Sequence, residues 1–123
     1  MKLFDNTLTV LEKALDVRLY RQNVLASNVA NIDTPGYAQR DIDFGEALRS
    51  ELSSAGQGAD SASTLQAATH EVPGAPPSLD GNTVDLDKTM VDMAENGLQY
   101  GAAARAASKK LAILKYVAND GNG

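Results

Sequence analysis

The chain has no cysteine and no tryptophan, and its 123 residues include only two phenylalanines, four tyrosines and one histidine. The missing cysteines exclude disulfide staples and thiolate chemistry, and they remove a liability in an oxidising compartment. The lone His70, beside Glu71, cannot build a metal site that needs several His or Cys ligands. No apolar run approaches the roughly 20 residues of a membrane span, so direct membrane insertion is not expected. Met1 to Asn6 shows no signal-peptide apolar region, and the residues alone imply a soluble, cytoplasmic chain. The net charge is −5. Its basic cluster, Arg105, Lys109, Lys110 and Lys115, falls late in a predicted helix where cations suit the macrodipole, so no nucleic-acid partner is expected. Many apolar positions are alanine, which buries little area per residue. That shortage implies that stability comes partly from partner chains.

What the chain does have is a helix stop built from several devices. Residues 26–37 read Ala-Ser-Asn-Val-Ala-Asn-Ile-Asp-Thr-Pro-Gly-Tyr. Asn31 and Asp33 are poor helix-interior residues, because their short side chains compete for nearby backbone groups. Pro35 has no N–H and pushes Thr34 out of the α region. Pro35-Gly36 fits the centre of a type II turn, with Gly36 at positive φ. Ser27, Asn28, Asn31 and Thr34 gather more polar groups here than a plain loop needs.

Before this stop, Phe4, Leu8, Leu11, Leu15, Leu19, Ala26 and Val29 draw one stripe along a helix, widened by Val10, Ala14, Val17 and Val24. After residue 82, Met90, Met93, Gly97, Tyr100, Ala104, Ala107, Leu111, Leu114 and Ala118 alternate three and four apart, a heptad seam. Its middle is small-sided, which allows close approach of another helix. Asp80-Gly81 predicts a turn, followed by Asn82 and Thr83 as N-cap candidates, and Asn119 to Gly123 predicts the C-cap. Between the helices, Tyr37 to Phe44 predicts a short extended piece. Asp43 and Glu46 have capping-box spacing ahead of a short helix lined by Phe44, Ala47, Leu48 and Leu52. Over about 53–77 large apolar residues nearly vanish, leaving Leu65 and Val72, and a flexible loop is expected.

The expected architecture is mainly α: long N- and C-terminal helices (residues 1–31 and 82–123) paired as an antiparallel coiled coil. Residues 32–81 form an irregular centre holding the short extended piece and the short helix. Leu8, Leu11, Leu15 and Leu19 are expected to meet Met90, Met93, Tyr100, Leu111 and Leu114 across the seam. Val10, Val17, Val24 and the alanine-rich faces are left for other chains.

Catalysis finds no support in these residues. Ser27 has no base near it in sequence, and Asp80 to Asp87 has the wrong spacing for a calcium loop. No catalytic residue, metal or cofactor is expected.

Ser27-Asn28-Val29-Ala30-Asn31 followed by Thr34-Pro35-Gly36-Tyr37 resembles the N-terminal signature of bacterial flagellar axial proteins, the rod, hook and hook-associated group. Arg21 to Ala26, Arg40 to Phe44, Asp80 to Asp85, and Asn96, Leu98 and Tyr100 resemble its proximal rod members. The likeness covers about residues 8–48 and 79–117. Thr89 departs from it, where many relatives have an acidic residue. The departure implies a lost ion pair between subunits, usually worth under about 1 kcal/mol when exposed.

The resemblance implies a non-enzymatic subunit that polymerises into the proximal rod, a shaft carrying torque from the inner-membrane ring to the distal rod and hook. Its implied partners are other copies of itself, other rod proteins, the adaptor at the inner-membrane (MS) ring and the flagellar type III export apparatus. It implies export without a cleaved signal and a place in the periplasmic basal body, replacing the cytoplasmic expectation. Asn28, Asn31, Thr34, Pro35, Gly36 and Tyr37 would fix the turn and touch adjacent subunits. The alternative is a standalone helical-hairpin oligomerisation or binding module. A wall-cutting hydrolase is weakest, because the carboxylates fall on turns and helix ends.

Overall fold

A computed structural model describes residues 2–120, without the side chain of Phe4. Residues 121–123, which hold most of the expected C-cap, lie outside the described residues. Helix α1 spans Lys2–Ala30 and the last helix, α4, spans Leu86–Asp120. Between them come β1 (Arg40–Ile42), α2 (Phe44–Ser54), a 3₁₀ turn (Ala55–Gln57), α3 (Ser61–Ala67) and β2 (Thr69–Glu71).

The two long helices pack antiparallel. Arg18 Nη1 donates to Gln99 Oε1 at 2.6 Å, while Asn96 Nδ2 lies 2.8 Å from both Arg18 O and Gln22 Oε1. By this register Lys2 falls opposite about residue 114, so the end of α4 projects past the start of α1. The contact face of α4 differs from the expected seam. Thr89 and Asn96 are buried, whereas Met90 (54% exposed), Tyr100 and Leu111 (55%) stand on the flank. On α1, Leu8, Leu11 and Leu15 are half-buried but Leu19 is 53% exposed. Heptad counting gathers the largest apolar residues. Over the first half of α4 the helices instead meet one position earlier, where Asn96 bonds to the backbone and a side chain of α1, while Met93, Ala104, Ala107 and Leu114 of the expected seam are half-buried.

The opposite side of α1 holds the core. Val17, Ile42, Ala47 and Leu65 cluster there, with Tyr20, Phe44 and Ala68 packed against them. Val17 therefore needs no second chain, contrary to expectation; Val24 is half-buried and Val10 exposed. β1 and β2 pair antiparallel, with Arg40 opposite Glu71 and Ile42 opposite Thr69. Asp43 caps α2 as its spacing predicts, its Oδ1 accepting from Glu46 N at 2.8 Å. The Arg18 guanidinium lies 3.8 Å from the centre of the Phe44 ring, a cation–π contact joining α1 to α2.

The stretch over 53–77 is more structured than its composition implies. Asp60 caps α3 through Ala62 N, and Leu65 enters the core. One well-placed leucine anchors a segment that lacks others. Position 51 also differs from the expected α2 face: Glu51 is buried and Leu52 is exposed. Glu51 Oε2 accepts from Ser61 Oγ and lies 3.7 Å from Lys13 Nζ, tying α2 to α3 and α1. Removing one partner of a buried charge leaves the other uncompensated. Lys13→Met should lower unfolding stability by about 1–3 kcal/mol in urea titration. Lys13→Met combined with Glu51→Leu should recover part of that loss.

Candidate functional site: a polar joint at the end of the first helix

The predicted stop forms as a turn. Thr34 N bonds to Asn31 O at 3.0 Å and Tyr37 N to Thr34 O at 3.2 Å. Gly36 has φ +72°, as the second central residue of a type II turn requires. Side chains reinforce it: Asn31 Nδ2 donates to Ser27 O at 2.7 Å and Thr34 Oγ1 to Asn31 Oδ1 at 2.9 Å. Pro35 and Gly36 stand at the surface with Ser27 and Thr34.

Asn28 does something different. Its carboxamide is fully buried and pairs with both backbone groups of Arg40: Nδ2 to Arg40 O at 2.7 Å and Arg40 N to Oδ1 at 3.0 Å. A side chain thus takes the place of a neighbouring strand and holds β1 against α1. Tyr37 Oη adds a third bond to Asn28 Oδ1 at 3.1 Å. Arg21 clasps Asp41 with two bonds of 2.9 Å, and that bond and charge raise the arginine's pKa despite partial burial.

The other half of the joint comes from the approach to α4. Asn82 Nδ2 donates to Asn31 O at 2.8 Å and to Thr34 O at 2.9 Å. Gly36 N bonds to Asp80 O at 2.8 Å and Thr83 N to Tyr37 O at 3.0 Å. Gln39 completes the set: its Oε1 accepts from Asp85 N at 2.9 Å and its Nε2 donates to Pro73 O at 3.3 Å. Gly74 passes so close that an added Cβ would sit 2.0 Å from Thr83 O, a clash with backbone.

These bonds correct two expectations. Asn82 and Thr83 do not cap α4; their side chains serve the joint, and Asp85 caps the helix through Lys88 N at 3.0 Å. Thr89 does not mark an exposed intersubunit position. It is buried, with Oγ1 donating to Asp85 O at 2.6 Å beside Gln39 Oε1. Sequence reasoning missed Gln39 and Asn82 as members of the joint. The nearest signal was the Asp80 to Thr83 turn, but nothing local links it to a turn 51 residues away. His70 lies apart on β2, its Nδ1 3.2 Å from Ala68 O. Among the described residues no group of three or more His, Cys, Asp or Glu is placed to hold a metal.

A chain of two long antiparallel helices, locked at one end by this Asn- and Thr-Pro-Gly-based joint, has the paired-helix layout that the resemblance to flagellar axial proteins implies. Residues 8–37 match the family described as "Flagella basal body rod protein". The chain is 35% identical over 133 aligned positions to the flagellar basal body rod protein FlgB of Escherichia coli K12, with 96% of each chain covered. It is 38% identical to that of Yersinia enterocolitica (78% of this chain, 81% of the relative) and 36% identical to that of Cereibacter sphaeroides (90% and 92%). The chain belongs to the FlgB family of flagellar basal body rod proteins.

Asn82→Ala removes one of two hydrogen bonds from each of the Asn31 and Thr34 carbonyls, and the Oδ1 acceptor of Val84 N. It should cost about 1–3 kcal/mol in thermal unfolding and speed amide exchange at Gly36 and Thr83. Gly36→Ala should cost about 1 kcal/mol through its positive φ, and Pro35→Ala less. Asp80 accepts from Ser78 Oγ and Asn82 N, which hold its carboxyl below the usual range. A depressed carboxylate pKa favours the folded state above the unfolded pKa and loses that effect on acidification. Order in the Ser78 to Asn82 turn should therefore be constant at neutral pH and decline only below about pH 4, as read by amide shifts.

Proposed function

We propose that this chain is a structural, non-enzymatic subunit of the flagellar basal-body rod, placed at the proximal end between the inner-membrane ring and the distal rod. The exposed apolar side chains of the helix pair carry the proposal. Met90, Val91, Leu98, Leu111, Ile113, Tyr116 and Val117 all stand in solvent along α4, with Leu3, Val10 and Leu19 on α1. Apolar area on this scale marks an interaction surface. A polymer of copies and other rod proteins would cover it, with the surface residues Ser27, Thr34, Pro35 and Gly36 meeting neighbours at the joint. Torque would then pass through many contacts between chains, while the joint keeps the angle between α1 and the central segment constant.

The remaining partners in this proposal are the adaptor at the inner ring and the type III export apparatus, which would deliver the chain to the periplasmic rod without a cleaved signal. No described helix is long and apolar enough to cross a membrane. A standalone hairpin module would also use an apolar flank, but nothing in the structure favours it over the rod.

Deleting the gene should abolish swimming and leave basal bodies with an inner ring and no rod, seen by electron microscopy. A plasmid copy should restore both. Retained motility in the deletion strain overturns the proposal.

A further inference from the structure

Helix α4 packs on α1 through one face and leaves another open. Val91, Leu98 and Ile113 recur along the open face, Leu98 at 73% exposed. Glu95, Ala102, Ala106 and Lys109 fill the positions between them, each three or four residues from the next, and all are exposed. The core, with Ala47 of α2 and Leu65 of α3, lies on the other side of α1, so the chain itself leaves this face uncovered. An exposed apolar stripe of this extent marks an interaction surface.

The order of side chains along the face says what it fits. It runs Val91, Glu95, Leu98, then small Ala102, then Ala106, Lys109, Ile113. From the other end the order is nearly the same, with the sign of the charge reversed. Laid antiparallel on itself about Ala102, the face brings Val91 to Ile113, Glu95 to Lys109 and Leu98 to Ala106, each pair twice. A parallel arrangement would instead bring Glu95 to Glu95 and Lys109 to Lys109. Charges along a helix seam decide partner and orientation in this way. Alanine at the centre lets the helix axes approach to about 8 Å. Among the described residues neither charge makes an ion pair within the chain, and Glu95 Oε1 accepts only a 3.4 Å bond from Gln99 Nε2.

We propose that this face pairs with the same face of a second copy of the chain, antiparallel about a two-fold axis at Ala102. From Val91 to Ile113 the contact runs about 33 Å. A two-fold contact closes on itself, so it gives a discrete dimer and does not propagate. The dimer is the form in which the free chain keeps this face from water, and a polymer has to replace the contact with others. The inference goes beyond the rod-subunit proposal and does not rest on it.

The purified full chain should behave in sedimentation equilibrium as a monomer and dimer in concentration-dependent balance. Lys109→Glu brings a carboxylate to each Glu95 and should raise the dimer dissociation constant by about tenfold or more, with the helicity of the dilute chain unchanged. Lys109 is the better site for this reversal, because Glu95 also lies near Arg18 and Arg21 of its own chain. Cysteines then read the direction, in a chain that has none. Val91→Cys and Ile113→Cys chains, oxidised as a mixture, should link one to one, since the two positions meet across the axis. Each variant oxidised alone should stay unlinked, because its two copies stand about 33 Å apart in the dimer. A monomer even at high concentration, a polymer in place of the dimer, an unchanged dissociation constant for Lys109→Glu, or self-linking of either cysteine variant as fast as linking in the mixture overturns the proposal. If Lys109→Glu loses helicity, the cysteine mixture decides alone. None of these outcomes touches the rod proposal, which the deletion strain decides.

Discussion

The Asn82 carboxamide on the carbonyls of Asn31 and Thr34 is the contact on which the chain's course depends. A helix end leaves carbonyls without partners, and a turn that leaves the helix axis adds more. Here the turn's own N–H groups meet two of them, Thr34 N on Asn31 O and Tyr37 N on Thr34 O, and a side chain from the start of the returning segment adds a second bond to each. The same contact therefore ends α1 and sets where α4 begins. Gly36 N on Asp80 O and Thr83 N on Tyr37 O extend it into a short ladder of backbone bonds. Loop closure over about fifty residues has an entropic cost that grows only slowly with length, so a few such bonds suffice to hold the ends together.

The joint is polar because little apolar material is available there. The core cluster is small: Val17, Ile42, Ala47 and Leu65 carry most of it. Asn28, Gln39 and Asn82 replace apolar packing with directed bonds, each carboxamide bonding to backbone groups of a distant segment. Such bonds contribute modestly to stability but are costly to break singly, because each leaves a buried group unmet. They specify geometry more than they add stability. A subunit that keeps one joint angle through a polymer is served by that trade.

Local chemistry was legible in the sequence and long-range pairing was not. Pro35-Gly36 predicted its own turn, and Asp43 with Glu46 predicted its cap, because both depend on backbone preferences within four residues. The long helices and their antiparallel pairing followed from periodicity. The contact face of the first half of α4 did not. Met90, Tyr100 and Leu111 make the better apolar stripe, yet the helix turns Thr89 and Asn96 inward, where hydrogen bonds to Gln39, Arg18 and Gln22 outweigh area. Leu65 shows the opposite failure. Composition counts residues, and a segment with two large apolar side chains looks unable to fold until one of them, Leu65, finds Val17 and Ile42. The two Asn82 acceptors were out of reach for the same reason: a capping residue and a long-range donor look identical in sequence.

The displaced stripe and the orphaned acceptor point in one direction. Two buried side-chain atoms lack hydrogen-bond partners among the described residues, Glu51 Oε1 and Asn96 Oδ1. They are not equivalent. The Glu51 carboxylate has the Lys13 ammonium 3.7 Å from its other oxygen, and a delocalised charge is compensated as a whole. Asn96 is neutral, and nothing facing its Oδ1 offers a proton. Asn96 also borders the flank where Leu19, Gly97 and Tyr100 stand open. A chain folded only for its own stability would turn Met90 and Leu111 inward. This chain spends its inward face on polar interlock between α1 and α4 and keeps the apolar stripe outward. That division makes sense only if the outward stripe has a partner of its own.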